Sequence, residues 1–312
     1  MKLKKIVSDL KGLFRSPDSR FMLSVGGKIM ASSLLIHLFI IYSLIQQLRF
    51  NFLFFKTQSR LSLMEIETFF DYVSHEALDI LPLIFGFHIA LFLIGCYIGR
   101  ILLRPFLTIS NYSEAAIENV NAIYQPEIYS NYNLLTRFSE FFFVYLRDCR
   151  LKKKLEPQSI PPQFSRVHRP TRDIVYFIHF SFLLVLVGVV TIISAAVVID
   201  TLTANVVQLA FELLPNAKDY KNFFLGQMTI FNDIYVLIVV LTVLFYGSLS
   251  LHLYDKMSGA AFGIFSTMRA FMKGNHSSRV HLLGYGHVRD YTRNFNKLLN
   301  YITRELEKDK EE

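Results

Sequence analysis

The chain has 312 residues, of which 52% are hydrophobic and 19% are charged, and its formal net charge is +8. This composition excludes a disordered chain and is too apolar for an ordinary soluble domain. The two cysteines, Cys96 and Cys149, offer neither a disulfide framework nor a metal site. Nucleic-acid binding is a rival explanation of the positive charge, but the basic residues are spread over several segments with acidic residues among them.

Four stretches contain no Asp, Glu, Lys or Arg, and these are residues 29–48, 80–99, 174–199 and 234–254. Each has at least 20 residues. A helix of that length spans roughly 30 Å, which is the thickness of the hydrocarbon core of a bilayer. The sequence therefore predicts an all-α integral membrane protein with four transmembrane helices. The first stretch begins too far along the chain for a cleavable signal peptide, so we expect it to remain as an anchor.

The basic residues are distributed unevenly between the segments that separate these stretches. Of the 33 Lys and Arg residues, 28 lie in 1–28, 100–173 and 255–312, whereas 5 lie in 49–79 and 200–233. Lys and Arg accumulate on the cytoplasmic side of membrane proteins. We therefore predict that both termini and the middle segment are cytoplasmic and that 49–79 and 200–233 are outer loops. These loops are too short for a sensory domain and are expected to form helical hairpins or extensions of the spans.

The same order of parts occurs twice along the chain, because Asp79-Ile80 opens the second apolar stretch and Asp233-Ile234 opens the fourth. Each half crosses the membrane twice, so the two halves are predicted to be parallel repeats. The predicted domains are a basic amphipathic segment (1–28), a first membrane pair (29–104, outer loop 49–79), a first cytoplasmic module (105–155), a Pro-rich linker (156–173), a second membrane pair (174–254, outer loop 200–233) and a second cytoplasmic module with a charged tail (255–312).

The segment after the fourth apolar stretch contains two amphipathic runs. The apolar residues of the first run recur at helical spacing and are Phe262, Phe265, Met268, Phe271 and Met272. Gly274 is predicted to end this helix. After a connector of residues 275–286, the second run has apolar residues at heptad-like spacing, and these are Val288, Tyr291, Phe295, Leu298, Ile302 and Leu306. Each helix has one apolar face, so the two helices are expected to pack on each other and on a second copy.

This order of a span, a short helix, a Gly-containing connector and a helix with the pair Phe295-Asn296 resembles the HAMP linker domain of membrane signalling proteins. His287 stands where that family prefers Glu. A more degenerate copy follows the second apolar stretch, where Pro105 stands at the predicted membrane exit, as in the family. The matching apolar residues of that copy are Leu135, Phe138, Phe142 and Tyr145, which precede Val288, Tyr291, Phe295 and Leu298 by 153 residues.

The resemblance implies a parallel four-helix bundle that passes motion of the spans to an output module. Such a bundle is usually assembled across a homodimer, but the two modules of one chain could also pair. The residues implied to carry the relay are Val288, Tyr291, Phe295, Asn296, Leu298, Pro105 and Gly274. The chain has no nucleotide-binding glycine pattern and no Walker-type lysine loop. We therefore expect no enzymatic activity and no cofactor, and output through a separate cytoplasmic or membrane protein.

Each apolar stretch contains one histidine, and the four are His37, His88, His179 and His252. Ionisable residues inside a membrane often mark a functional site. Two histidines on facing helices could be axial ligands of a b-type haem, or they could transfer protons. The simpler interpretation is that neutral histidines form hydrogen bonds between helices or lie near the lipid headgroups.

The interpretation that fits these patterns best is a non-enzymatic signal-relay or regulatory protein of the bacterial inner membrane. Its expected partners are membrane lipid and a separate protein, and no nucleic acid. One alternative is a structural or accessory subunit of a larger membrane complex. The other is a redox or transport protein that uses the four histidines.

Overall fold

The computed structural model describes residues 16–57, 63–126, 133–165, 167, 174–213 and 221–308. In this part of the chain there are seven α-helices, one short 3-10 helix and no strand. The α-helices are α1 (Pro17–Thr57), α2 (Leu63–Glu118), α3 (Asn133–Leu151), α4 (Pro162–Ser165), α5 (Ile174–Leu213), α6 (Lys221–Met272) and α7 (Arg289–Lys308), and the 3-10 helix (Gly286–Val288) leads directly into α7.

Four of these helices are long and apolar enough to cross a membrane. Their candidate spans are Pro17–Phe50 in α1, Leu78–Glu118 in α2, Ile174–Thr201 in α5 and Ile230–Met272 in α6. Most residues of each most apolar window face outward, and between 22% and 39% of each window is buried. A soluble protein rarely exposes such extended apolar surface. In the described residues the predicted all-α fold is confirmed, with four helices long and apolar enough to cross a membrane, and this indicates a multi-pass membrane protein.

The predicted outer loops are largely helical in the structure. In the segment 49–79, α1 continues to Thr57 and α2 begins at Leu63, and in the segment 200–233 α5 continues to Leu213 and α6 begins at Lys221. Of the two forms predicted for these segments, the structure shows extensions of the spans. Arg49, Asp79, Asp200 and Asp233, which border the apolar stretches on the side of these loops, all lie inside helices, because an exposed charged side chain leaves the backbone hydrogen bonds of a helix intact.

The boundary predicted at residues 28 and 29 does not separate two elements, because α1 begins at Pro17. Ser16 caps this helix, since its Oγ accepts a hydrogen bond of 3.1 Å from the backbone N–H of Ser19. Pro17 occupies the first helical position, where its missing N–H is not needed. Residues 1–15 of the predicted basic amphipathic segment (1–28) and the last residues of the charged tail (309–312) lie outside the described residues.

The first amphipathic run after the fourth apolar stretch, from Phe262 to Met272, is not a separate helix but the continuation of α6, which ends at Met272. Its end is a left-handed turn at Gly274, with a φ of +99°. The N–H of Gly274 bonds to the carbonyl of Phe271, and the N–H of Asn275 bonds to that of Ala270, both at 3.1 Å. This is the Schellman pattern, and only glycine adopts its left-handed position without strain. The connector then runs from residue 273 to residue 285.

The chain divides into two compact units. The membrane unit comprises Gly26–Gly95 and Leu183–Leu249, and the bundle unit comprises Met1–Val25, Cys96–Phe182 and Ser250–Glu312. Within the membrane unit, α1 and α2 approach closely at Gly26 and Gly95. A Cβ added at Gly95 would lie 2.6 Å from the Cα of Gly26, so these helices contact each other through their backbones.

Candidate functional site

Four helical segments of the bundle unit run in the same direction, namely the end of α2, α3, the end of α6 and α7. For each pair of helices, a later residue on one helix contacts a later residue on the other, which shows that the two run in parallel. The contacts between α2 and α3 are Tyr112–Phe143 and Ala116–Arg150. Those between α3 and α6 are Phe138–Phe265 and Phe142–Phe271, and those between α3 and α7 are Phe142–Phe295 and Arg150–Glu305. The segments therefore form a parallel four-helix bundle within one chain.

The centre of this bundle is a cluster of buried phenylalanines, called here the aromatic core, which consists of Phe138, Phe142, Phe265, Phe271 and Phe295. The ring centroid of Phe142 lies 5.8 Å from that of Phe295 and 6.0 Å from that of Phe271. Phe138 lies 4.6 Å from Phe265 in an edge-to-face arrangement. These are favourable aromatic geometries. The aromatic core joins the helix of the first predicted module to both helices of the second.

The apolar residues implied by the resemblance to carry a relay are buried in this bundle. Val288, Phe295 and Leu298 have no exposed surface. Pro105 is buried inside the continuous helix α2. The roles assigned to these residues stay predictions, because their burial alone is also what a purely structural core would show.

Asn296 has a specific contact that the packing pattern did not indicate. Its side-chain Oδ1 accepts a hydrogen bond of 2.9 Å from the backbone N–H of Val280, and its Nδ2 donates one of 3.0 Å to the carbonyl oxygen of Val280. The side chain thus satisfies both backbone groups of one connector residue. Asn296 therefore attaches the connector to α7, and an aspartate could supply only the acceptor.

An ion pair connects the far end of the bundle. The guanidinium of Arg150 on α3 donates to both carboxylate oxygens of Glu305 on α7, at 2.8 and 3.2 Å. A third donor bonds to the carbonyl oxygen of Ala116, near the end of α2, at 2.6 Å. The side chain of Arg150 is only 6% exposed. One arginine therefore holds three helices together, with the fork geometry that guanidinium offers to carboxylates.

The start of α1 belongs to the bundle unit and packs on the start of α7. The hydroxyl of Tyr291 donates a hydrogen bond of 2.6 Å to Oδ2 of Asp18. One helical turn further along α1, the ring of Phe21 stacks on His287 with centroids 4.6 Å apart. Burial, with a smaller effect of the ammonium of Lys256, lowers the pKa of His287 to about 4. Burial also raises the pKa of Tyr291, as does its hydrogen bond to Asp18.

Two of the four membrane histidines, His37 and His88, meet in the membrane unit, with ring centroids 5.0 Å apart in an edge-to-face contact. Nδ1 of each ring donates to a backbone carbonyl four residues earlier, so each neutral ring has Nε2 as its acceptor. Nε2 of His37 lies 3.1 Å from Oγ of Ser194 on α5, which is a hydrogen bond between helices. His179 and His252 are exposed.

The geometry of His37 and His88 argues against the haem alternative. Edge-to-face contact between His37 and His88 leaves no space for a porphyrin plane between the rings. Nε2 of His37 is also engaged with Ser194. The pair therefore fits a hydrogen-bonded contact between helices better than a pair of axial ligands. Nε2 of His88 has no hydrogen-bond partner among the described residues.

Sequence reasoning missed several residues that connect the helices of the bundle: Asp18, Phe21, Arg150, Asn294 and Glu305. Nδ2 of Asn294 donates to Ser110 at 3.0 Å and to Glu114 at 2.6 Å, and both acceptors lie on α2. No hydrophobic pattern marks these residues, because their contacts are polar or lie between segments far apart in the sequence. Only the position of Asn294 directly before Phe295 offered a local signal.

Comparison with protein-family models, with curated proteins and with solved structures found no match for this chain. The resemblance to HAMP domains therefore rests on the sequence pattern alone, and membership of that family stays a prediction.

Proposed function

We propose that this chain is a non-enzymatic signal-relay protein of the bacterial inner membrane. Movement of its transmembrane helices changes the packing of the four-helix bundle, and the bundle passes this change to a separate protein partner. The charge distribution supports a cytoplasmic position for the bundle and for both termini. The relay consists of two packings of one bundle, and a stimulus shifts their relative populations.

The observation that carries this proposal is the continuity of α2 and α6. Each helix is uninterrupted from its apolar stretch (80–99 in α2, 234–254 in α6) into the bundle, where α2 ends at Glu118 and α6 ends at Met272. An uninterrupted helix transmits a rotation or a shift along its axis, because its backbone hydrogen bonds fix each turn to the next. The residues of α6 that extend beyond its apolar stretch include Phe265 and Phe271 of the aromatic core.

The close contact of α1 and α2 provides a site at which movement can be imposed. A Cβ at Gly95 would lie too close to the backbone of Gly26 for a side chain to adjust, so Gly95→Ala must displace one helix. Gly86, on the same helix, has nothing within 4 Å of an added Cβ. Gly86→Ala is therefore the matched control, with the same substitution and the same helix propensity.

The readout is the distance between spin labels on exposed residues of α3 and α7, at Val144 and Tyr301, in a chain without its two native cysteines. Gly95→Ala is expected to shift this distance distribution, whereas Gly86→Ala leaves it unchanged. A second label pair, at Leu38 and Leu93 on the exposed surfaces of α1 and α2, reports whether the crossing has moved. A displaced crossing with an unchanged bundle would contradict the relay.

Pairing of the two modules within one chain is tested separately by cysteines at Phe142 and Phe295. Their ring centroids are 5.8 Å apart in one chain, so a short crosslinker is expected to join them within a single molecule. Crosslinks formed only between two chains would reject this pairing and favour a bundle made by a homodimer.

The identity of the partner separates the relay from its main alternative. Proteins that co-purify with the chain can be identified by mass spectrometry. A kinase, cyclase or chemotaxis protein would support the relay. A large, stoichiometric membrane assembly would instead support an accessory subunit.

A further inference from the structure

Leu283 is the most exposed large hydrophobic residue in the described part of the chain, with 94% of its surface accessible. It lies in the connector between α6 and α7, directly before Gly284, whose φ is +85°. A left-handed backbone at this glycine turns the chain sharply after Leu283. The leucine side chain is therefore held at the outside of a turn, where it makes almost no contact with the protein.

The contacts of the neighbouring residues establish how deep this turn lies along α6. Leu282 packs against Gly263, and Tyr285 packs against Gly259, since a Cβ added at either glycine would collide with these side chains. The connector thus runs back along α6 towards its apolar stretch (234–254). Leu283 lies between these two contacts, so its level on α6 is four to eight residues beyond Asp255, the first charged residue after the apolar stretch. This corresponds to about 6–12 Å along the helix.

This range overlaps the headgroup layer of a bilayer. The layer extends roughly 5–8 Å beyond the hydrocarbon core on each side. Leu283 therefore lies at the outer edge of this layer, within reach of it for a side chain directed towards the core, if the apolar stretch 234–254 fills the core. Interfacial protein segments bury apolar side chains at this boundary.

The charge of the connector is complementary to anionic lipid. No Asp or Glu occurs from Gly274 to Arg289. Of the two arginines in this stretch, Arg279 bonds to Asn300 on α7, whereas Arg289 is exposed. Lys256 on α6 is near His287 at the end of the connector. Basic residues beside an inserted apolar side chain attract the phosphate groups of anionic headgroups.

We propose that the connector between α6 and α7 is a membrane-contacting loop, in which Leu283 inserts into the lipid interface and Lys256 and Arg289 face anionic headgroups. The loop attaches the start of α7 to the bilayer surface directly, in addition to the covalent connection through α6. This contact does not depend on the proposed relay function, because it needs only the four spans.

The chain contains no tryptophan, so Leu283→Trp introduces a single fluorescent probe. The variant is reconstituted into vesicles of phosphatidylcholine and phosphatidylglycerol, with and without bromine atoms on the acyl chains. The control is Leu151→Trp, at a leucine that is 65% exposed at the end of α3. Residue 142 of α3 already lies level with Phe271 near the end of α6, so Leu151 lies beyond that end and far from the span.

We expect the tryptophan at position 283 to emit at shorter wavelength than the one at position 151 and to lose intensity in the brominated vesicles. The control should show neither effect. Because an indole has its own affinity for the membrane interface, a second probe without an indole is needed. A nitroxide attached at Leu283→Cys, in a chain without Cys96 and Cys149, should collide more often with oxygen than with a water-soluble nickel complex. Equal emission and no quenching at position 283, or a nitroxide accessible to nickel, would overturn the proposal. Protection from nickel that appears only as protein concentration rises, with no bromolipid quenching, would assign Leu283 to a contact between two copies instead.

Discussion

The strongest prediction concerns the contact between Phe142 and Phe295. Both side chains are completely buried, and replacing such a phenylalanine with alanine costs about 3–5 kcal/mol of the free energy of unfolding. For a unit of 150–250 residues, each kcal/mol lowers the melting temperature by about 2–4 °C. Phe142→Ala or Phe295→Ala should therefore lower the melting temperature by roughly 6–20 °C.

The double variant tests whether the two rings support each other. Because their centroids are 5.8 Å apart, the losses should be non-additive, with a coupling of about 0.5–1.5 kcal/mol. The assay is thermal unfolding in lipid nanodiscs followed by circular dichroism, with hydrogen exchange to locate the destabilised helices. Phe85→Ala is the matched control, because Phe85 is 69% exposed on the surface of a span. Equal stability of Phe295→Ala and Phe85→Ala, or strict additivity of the bundle pair, would refute the aromatic core.

Three further predictions concern polar groups of the bundle unit. Asn296→Asp should release the carbonyl of Val280, at a cost of about 1–3 kcal/mol, and the connector amides should exchange faster with deuterium. Because burial lowers the pKa of His287 to about 4 from an ordinary value of 6.5, the unfolded chain binds more protons between these values. Stability should therefore fall as the pH falls through this window, and His287→Gln should reduce this dependence of the melting temperature. Glu305→Gln should destabilise the bundle by about 1–2 kcal/mol, because it weakens the contact with buried Arg150.

The prediction for Glu305 has a control in the same unit. Glu156→Gln removes an exposed ion pair with Lys154 and should leave the stability almost unchanged. Unchanged exchange at Val280 in Asn296→Asp would show that the connector is held by other contacts.

The four spans could be predicted because a bilayer leaves the backbone few choices. A stretch of 20 residues without charge has to satisfy its N–H and C=O groups internally, and a helix does so. The end of α6 could be predicted for a similarly local reason, since Gly274 allows the left-handed turn that stops the helix. The amphipathic pattern of Val288, Phe295 and Leu298 also identified the buried face of α7.

The lengths of the helices and their partners could not be predicted in this way. Charges at Arg49 and Asp79 mark where a span can leave the lipid, but they do not break a helix, so the apolar stretches underestimated α1 and α2. The contact of Asp18 with Tyr291 joins residues 273 positions apart in the sequence. No periodicity indicates such a pair, because it depends on how the helices are arranged in space.

The contacts of α7 determine which interactions must break when the packing of the bundle changes. Rotation of α7 would move Phe295 away from Phe142 and lose an aromatic contact of about 0.5–1.5 kcal/mol. Asn294 and Glu305 are 11 residues apart, which is close to three helical turns, so they lie on one face of α7. Asn294 bonds directly to α2, and Glu305 reaches the same helix through Arg150. A rotation of α7 must therefore break these two polar contacts as well as the contact of Phe295, and both kinds of contact contribute to the difference in free energy between two rotational states of the proposed relay.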